Sequence, residues 1–451
     1  MAPSSNPLNL MQLIDERKIG AYQKLIVFLG FFIIAMDGFD VSIIGFIAPQ
    51  LRTEWVISHQ ALGPVISAAL IGLAVGAVVC GPLADRYGRR RVLLASVAFF
   101  GIWTVATAMA NSVTELVIYR FLTGIGLGSA MPNVGALVSE YSPARRRSFL
   151  VTLAFTGFSV GAATGGFMAA WVIPNYGWRT LVMIGGVLPL LTLPLLWKYL
   201  PESLATMVVR GESSARIHKV LERIAPGVST TSTRFIYPIA KSVQGTSKNP
   251  IRMILSANLL FGTLMLWLTY FLILFLVYLM GSWLPSMVRE EGYSVSQAAI
   301  VTALYQIGGS TGALCIGYLM DRFNSHRVLA VICTLGALII FSLGQVSHHF
   351  VLLAVLAYLV GFVTTGPSVG SNALAAQYYP SACRATGMSW MHSAGRWGGI
   401  LSGFAGAQIL SMGWSFQTVF AVLTVPSVIV AVAFIAKGIS DKKRGLDAVQ
   451  A

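Results

Sequence analysis

The chain has 451 residues, of which 56% are hydrophobic and only 10% charged, with a formal net charge of +15. A soluble domain carries about 25% charged residues, so an ordinary soluble enzyme and a disordered chain are both excluded. The apolar runs are continuous rather than alternating, which argues against a β-barrel. An all-α membrane protein of many helices remains.

The basic excess sits in short loops between apolar runs. That pattern reads as the basic face of a membrane protein rather than as a nucleic-acid footprint, so the lipid bilayer is an expected partner and nucleic acid is not. The four cysteines, Cys80, Cys315, Cys333 and Cys383, include no CxxC pair, so neither a disulfide framework nor a metal site is expected. The N-terminal stretch containing Asp15, Glu16, Arg17 and Lys18 is too polar for a cleavable signal peptide.

A helix needs about 20 apolar residues to cross a bilayer. Twelve spans are read in chain order: 24–49, 61–84, 92–112, 114–138, 148–173, 178–199, 255–287, 296–320, 328–346, 350–377, 385–410 and 414–436. No Asp, Glu, Lys or Arg occurs between Val328 and Cys383. That run is too long for one crossing, and His348-His349 marks its hinge. If the N-terminus is cytoplasmic, only Arg52, Arg179 and Arg289 of the 31 Lys and Arg fall in outer loops, and Arg120 and Arg396 fall within spans. The rest are cytoplasmic, an asymmetry that places both termini inside.

The two halves repeat at an offset of 236 to 237 residues. Gly81, Asp85, Arg86 and Arg91 correspond to Gly317, Asp321, Arg322 and Arg327, and Arg147 corresponds to Arg384. The expected organisation is a tail (1–23), a six-helix bundle (24–200), a basic linker (201–254) with a surface helix near 212–224, a second bundle (255–437) and a tail (438–451). Parallel repeats of this kind imply a site between the halves near the midplane and rocking between inward-open and outward-open states.

Gly-Pro-Leu-Ala-Asp85-Arg86-Tyr-Gly-Arg-Arg between spans two and three resembles the signature loop of the major facilitator superfamily. Gly317–Arg327 is its degenerate copy, and Arg120 to Gly128 resembles a second motif of that superfamily. Asp37-Gly38-Phe39-Asp40 on span one, with Arg384-Ala-Thr-Gly387 and Gly395-Arg396, resembles the aromatic acid:proton symporters. The resemblance implies uptake of a small aromatic carboxylate, such as 4-hydroxybenzoate or protocatechuate, driven by protons across a bacterial inner membrane. It implies no other cofactor. The alternatives are transport of another organic acid with protons, or efflux by antiport. No catalytic constellation marks an enzyme, and a monomer is expected to suffice.

Charged side chains inside a membrane are costly and usually functional. Asp37 and Asp40 are three apart, on one helical face, and are expected to carry the coupling proton. Arg120, at similar depth, is their counter-ion or one end of a fixed ion pair. Arg396 lies near the midplane, where its planar fork suits a carboxylate, with His392 one turn before it. Phe39, Asn133, Phe158, Tyr305, Gln306 and Asn372 are candidates for the ring slot. Asp85, Arg86, Arg91, Glu140, Arg147, Asp321, Arg322 and Arg384 are expected to form a cytoplasmic gate, whereas Arg89, Arg90 and Arg146 read as plain anchoring charges. The glycines at 157, 161, 165 and 166, and at 395, 398, 399 and 403, are expected to form sliding faces.

Overall fold

The computed structural model describes residues 8–209, 212–224, 235–236, 250–380 and 383–443. Twelve long helices dominate: α1 (Ala21–Trp55), α2 (His59–Tyr87), α3 (Arg89–Ala108), α4 (Val113–Glu140), α5 (Ala144–Tyr176), α6 (Trp178–Tyr199), α7 (Leu260–Glu290), α8 (Val295–Arg322), α9 (Ser325–Gly344), α10 (Phe350–Tyr378), α11 (Arg384–Ser411) and α12 (Phe416–Lys443). Among the described residues the only extended pairing is Leu8–Asn9 against Phe235–Ile236, in parallel. Several helices run past the apolar stretch that announces them. α1 extends to Trp55, and α12 continues to Lys443 into the expected tail.

Eleven of these helices are long and apolar enough to cross a membrane. α11 is 28 residues long but carries Arg396, His392, Ser389, Ser393 and Ser402. It falls short of a lipid-facing composition because one of its faces is polar.

α4 is broken where the sequence suggests one continuous span. Val113–Leu127 stops and Ala130–Glu140 starts anew around Gly128 and Ser129. Gly124 and Gly128 lie against the α2 backbone at Ala69 and Leu73, and Gly126 lies against Phe100 of α3. The Gly-rich stretch is therefore a close-packing device between helices.

Apart from a small patch of Cys80, Ala84 and Val92, buried apolar side chains fall into two clusters confined to one half each and one that joins the halves. One gathers α1, α3–α6 and the linker helix Ser214–Ile224, whose Ile217, Leu221 and Ile224 pack with Leu10 and Ile14. A second lies within α7–α12 and the short helix Pro250–Ile254. The third draws on both halves: Phe46, Leu51, Leu62 and Val172 pack with Trp283, Met287, Val288 and Ala299. These residues all lie toward the helix ends remote from the linker. There too, Ser67 Oγ donates to the Ile400 carbonyl (2.9 Å), Ser296 Oγ donates to the Ala170 carbonyl (2.6 Å), and Glu290 accepts from Arg52 and His59 (both 2.7 Å). The ion pairs are more than a third exposed at Glu290, so they add little. Burial of the shared apolar cluster does most of the holding. The halves are thus closed on the face opposite the linker.

The glycines expected to slide divide by position. Gly166 meets Ala303 and Gly403 meets Ser67, both across the boundary between halves. Gly157 and Gly161 instead meet the α1 backbone at Phe31 and Ala35, Gly165 meets Phe39, and Gly395, Gly398 and Gly399 meet α7. Those six are internal packing positions, because the bundle needs backbone-to-backbone approach within itself as well as between its halves. A Cβ at Gly161 would overlap the Ala35 carbonyl. Gly161→Val should therefore lower thermal stability in detergent by about 1–3 kcal/mol or more. Gly317→Ala, with nothing near its Cβ position, should leave the melting temperature unchanged or raised.

Candidate functional site

The two acids of α1 have opposite fates. Asp40 is fully buried and saturated. Its Oδ2 accepts from Arg120 Nη1 (2.9 Å), its Oδ1 from Thr104 Oγ1 (2.6 Å), and its backbone carbonyl from Arg120 Nη2 (3.0 Å). Arg120 is also fully buried. The charges of this pair cancel inside the first half, where α1, α3 and α4 meet. Asp37, one turn earlier, is 1% exposed, and its Oδ1 has no hydrogen-bond partner. The sequence leaves open which acid Arg120 holds; the structure gives it to Asp40 and leaves Asp37 alone.

In the second half, Arg396 projects from α11 and is half-buried. It makes no hydrogen bond or ion pair with any described residue. Two rings of α7 flank it. Tyr270 packs on Gly395 and Tyr278 packs on Gly399. The glycines stand one turn apart, on either side of Arg396 in the chain, and open the space that both rings fill. Tyr278 lies within electrostatic reach of both Arg396 and Asp37, so it stands where the two halves face one another. Tyr270 Oη bonds His392 Nδ1 (3.2 Å), with the rings edge to face at 5.1 Å, and accepts from Asn372 Nδ2 (3.4 Å).

The other ring-slot candidates scatter. Gln306 Nε2 donates across the halves to Ser42 Oγ (3.5 Å), and Phe158 is half-buried on α5, where its carbonyl meets Gly38. Phe39 is wedged against Gly165 and Gly185 inside the first half. Asn133 donates to the Ser129 carbonyl within its own helix (2.9 Å). Tyr305 is fully buried and donates to the Val277 carbonyl (3.2 Å). Phe39, Asn133 and Tyr305 are packing residues, because depth along a helix does not specify direction around it. Tyr270 and Tyr278 are absent from the sequence-level candidates. The signal for them was the Gly395/Gly399 spacing around Arg396.

At the linker end, the expected gate residues bond locally. Glu140 is buried, pairs with Arg89 (3.5 Å), and accepts from Ser203 Oγ (2.6 Å). Arg90 donates its backbone N–H to Glu202 (3.1 Å) and its guanidinium to the Trp197 carbonyl. Arg89 and Arg90 are therefore structural partners rather than free anchoring charges. Arg147 reaches the Ser142 carbonyl (3.4 Å), Arg384 reaches the Tyr379 carbonyl (3.2 Å), and Arg322 lies over the Tyr318 ring. Arg86 lies over the Tyr87 ring, and Arg91 and Asp321 are exposed. The side chain of Asp85 lies outside the described residues. Second-copy His326 takes a place like that of Arg90, held by Asp441 of α12 (3.3 Å), which Lys437 also contacts. Glu140, Arg147, Arg322 and Arg384 all make their described contacts within their own half.

A twelve-helix, two-bundle membrane protein, with an unpaired acid in one bundle and an unpaired cation in the other, has the architecture of a rocking carrier. The family model for the Major Facilitator Superfamily matches residues 30–344 and again 266–448, and the chain belongs to that superfamily. It is 44% identical over 436 residues to a gallate transporter of Pseudomonas putida, covering 97% of this chain and 96% of that protein. It is also 44% identical to the 4-hydroxybenzoate transporter PcaK of Pseudomonas putida, covering 96% of each chain. Among solved structures, the inward-open xylose transporter XylE from E. coli superposes with a TM-score of 0.71 at 20% identity, over 91% of this chain and 95% of that one.

Removing one partner of a buried ion pair strands the other charge, at a cost of about 3–5 kcal/mol. Arg120→Gln should therefore destabilise the protein strongly in detergent denaturation. The double variant Arg120→Gln with Asp40→Asn should recover part of that loss, whereas additive losses would contradict the pairing.

Proposed function

We propose that the protein is a proton-coupled symporter that imports a small aromatic carboxylate across the bacterial cytoplasmic membrane. It acts as a monomer with linker and termini inside. The observation that carries this reading is the placement of an unpaired acid, Asp37, and an unpaired cation, Arg396, on facing halves. Relatives named as gallate and 4-hydroxybenzoate transporters support the substrate class.

Charge balance supplies the coupling. In the empty carrier the negative charge of Asp37 and the positive charge of Arg396 offset one another, so the halves can close on them. When an aromatic carboxylate enters, it takes Arg396 as its counter-charge through a bidentate pair. Asp37 is then an uncompensated anion in a low-dielectric site, a costly state. A proton on Asp37 removes that charge, and only the doubly loaded carrier turns over. Asp40 cannot substitute, because Arg120 already neutralises it.

The test is uptake of labelled 4-hydroxybenzoate into proteoliposomes under an imposed pH gradient, acid outside. Wild type should accumulate the label above equilibrium. Asp37→Asn should lose accumulation by at least about tenfold yet retain exchange of external for internal substrate, because a permanently neutral residue still permits loaded crossing. Normal gradient-driven accumulation by Asp37→Asn would overturn the proposal.

A further inference from the structure

The Tyr270 hydroxyl on α7 lies between a histidine and an amide, and the orientation of the amide is fixed. Asn372 Nδ2 donates to the Ser368 carbonyl (3.1 Å), which can only accept, so the amide cannot be turned round. The same nitrogen donates to Tyr270 Oη (3.4 Å). Tyr270 Oη also bonds His392 Nδ1 (3.2 Å); in the tautomer of neutral His392 that carries its hydrogen on Nε2, Tyr270 is the donor of that bond. Two groups of opposite character remain unused around one hydroxyl. Asn372 Oδ1 is an acceptor shut away from water with no partner, and His392 Nε2–H is a donor on a half-buried ring.

A phenolic hydroxyl is the ring substituent that both gives and takes one hydrogen bond. His392 precedes Arg396 by four residues on α11, about 6 Å along the helix axis, comparable with the span of a para-substituted benzene ring. Tyr270 and Tyr278, seated on Gly395 and Gly399, supply aromatic faces along that span.

We propose that Tyr270, His392 and Asn372 form a subsite that reads a para-hydroxyl on the aromatic ring while Arg396 holds the carboxylate. Asn372 and His392, the latter in its Nε2–H tautomer, meet the substrate, and Tyr270 is a positioning residue that bonds both. The inference rests on the carboxylate grip proposed above. It makes the protein selective for hydroxylated over unsubstituted benzoates, because an unsubstituted ring leaves the buried acceptor unpaired.

The experiment is equilibrium binding of labelled 4-hydroxybenzoate and benzoate to the purified full-length protein in detergent. Wild type, Tyr270→Phe, Asn372→Ala and Arg396→Gln are compared, each first shown to be monodisperse. Wild type should favour 4-hydroxybenzoate. Tyr270→Phe and Asn372→Ala should each cut the ratio of the two affinities by about tenfold, the size expected when a built hydrogen-bonding site loses a partner. Arg396→Gln should weaken both ligands alike and keep the ratio. An unchanged ratio in both Tyr270→Phe and Asn372→Ala overturns the hydroxyl subsite while leaving the carboxylate grip standing. If wild type binds neither acid, the aromatic-carboxylate reading falls and this inference falls with it.

Discussion

Everything at the centre of this protein follows from how charge is tolerated where water is scarce. The buried pair of Arg120 and Asp40, completed by Thr104, removes two charges from play and ties α1, α3 and α4 into one rigid unit. That pairing gives the neighbouring acid its meaning. Asp37 sits one turn away on the same helix, equally buried, and has been given no such partner. On the proposal above, a protein that spends an arginine and a threonine on one carboxylate and nothing on the next has separated a structural acid from an exchangeable one.

The second half holds the complementary exception. Arg396 is also left without a counter-charge, and α11 is polar enough to fall outside the composition of a lipid-facing helix. Its Gly395 and Gly399 seat the rings of Tyr270 and Tyr278, while Gly403 meets Ser67 of the other half. The unpaired cation, the two rings and the His392–Tyr270–Asn372 network thus belong to the half opposite Asp37. In the mechanism proposed above, rocking of one half against the other changes the separation of Asp37 and Arg396, and so couples the motion to the charge balance.

Much of this could be read from the chain. Helix number came from apolar run lengths, and the intramembrane charges stood out because they are rare. The choice between Asp37 and Asp40 as the partner of Arg120 could not be read. Both lie on one face of α1, and the deciding group, Thr104 on α3, has no local signature. Phe39, Asn133 and Tyr305 were at suitable depths but turn into their own bundles, a matter of helix rotation that run length does not encode. Tyr270 and Tyr278 escaped notice among many aromatics because only the glycine spacing on a distant helix marks them. The break in α4 and the local bonds of Arg89 and Arg90 likewise arise from tertiary packing.

The most direct measurement is infrared difference spectroscopy of the purified protein across a pH titration, following the C=O stretch of protonated buried carboxyl groups. A titrating band that is present in wild type and in Asp40→Asn but missing in Asp37→Asn is the predicted result. A band that survives Asp37→Asn unchanged would mean that the proton resides elsewhere, and would contradict the division of labour between the two acids.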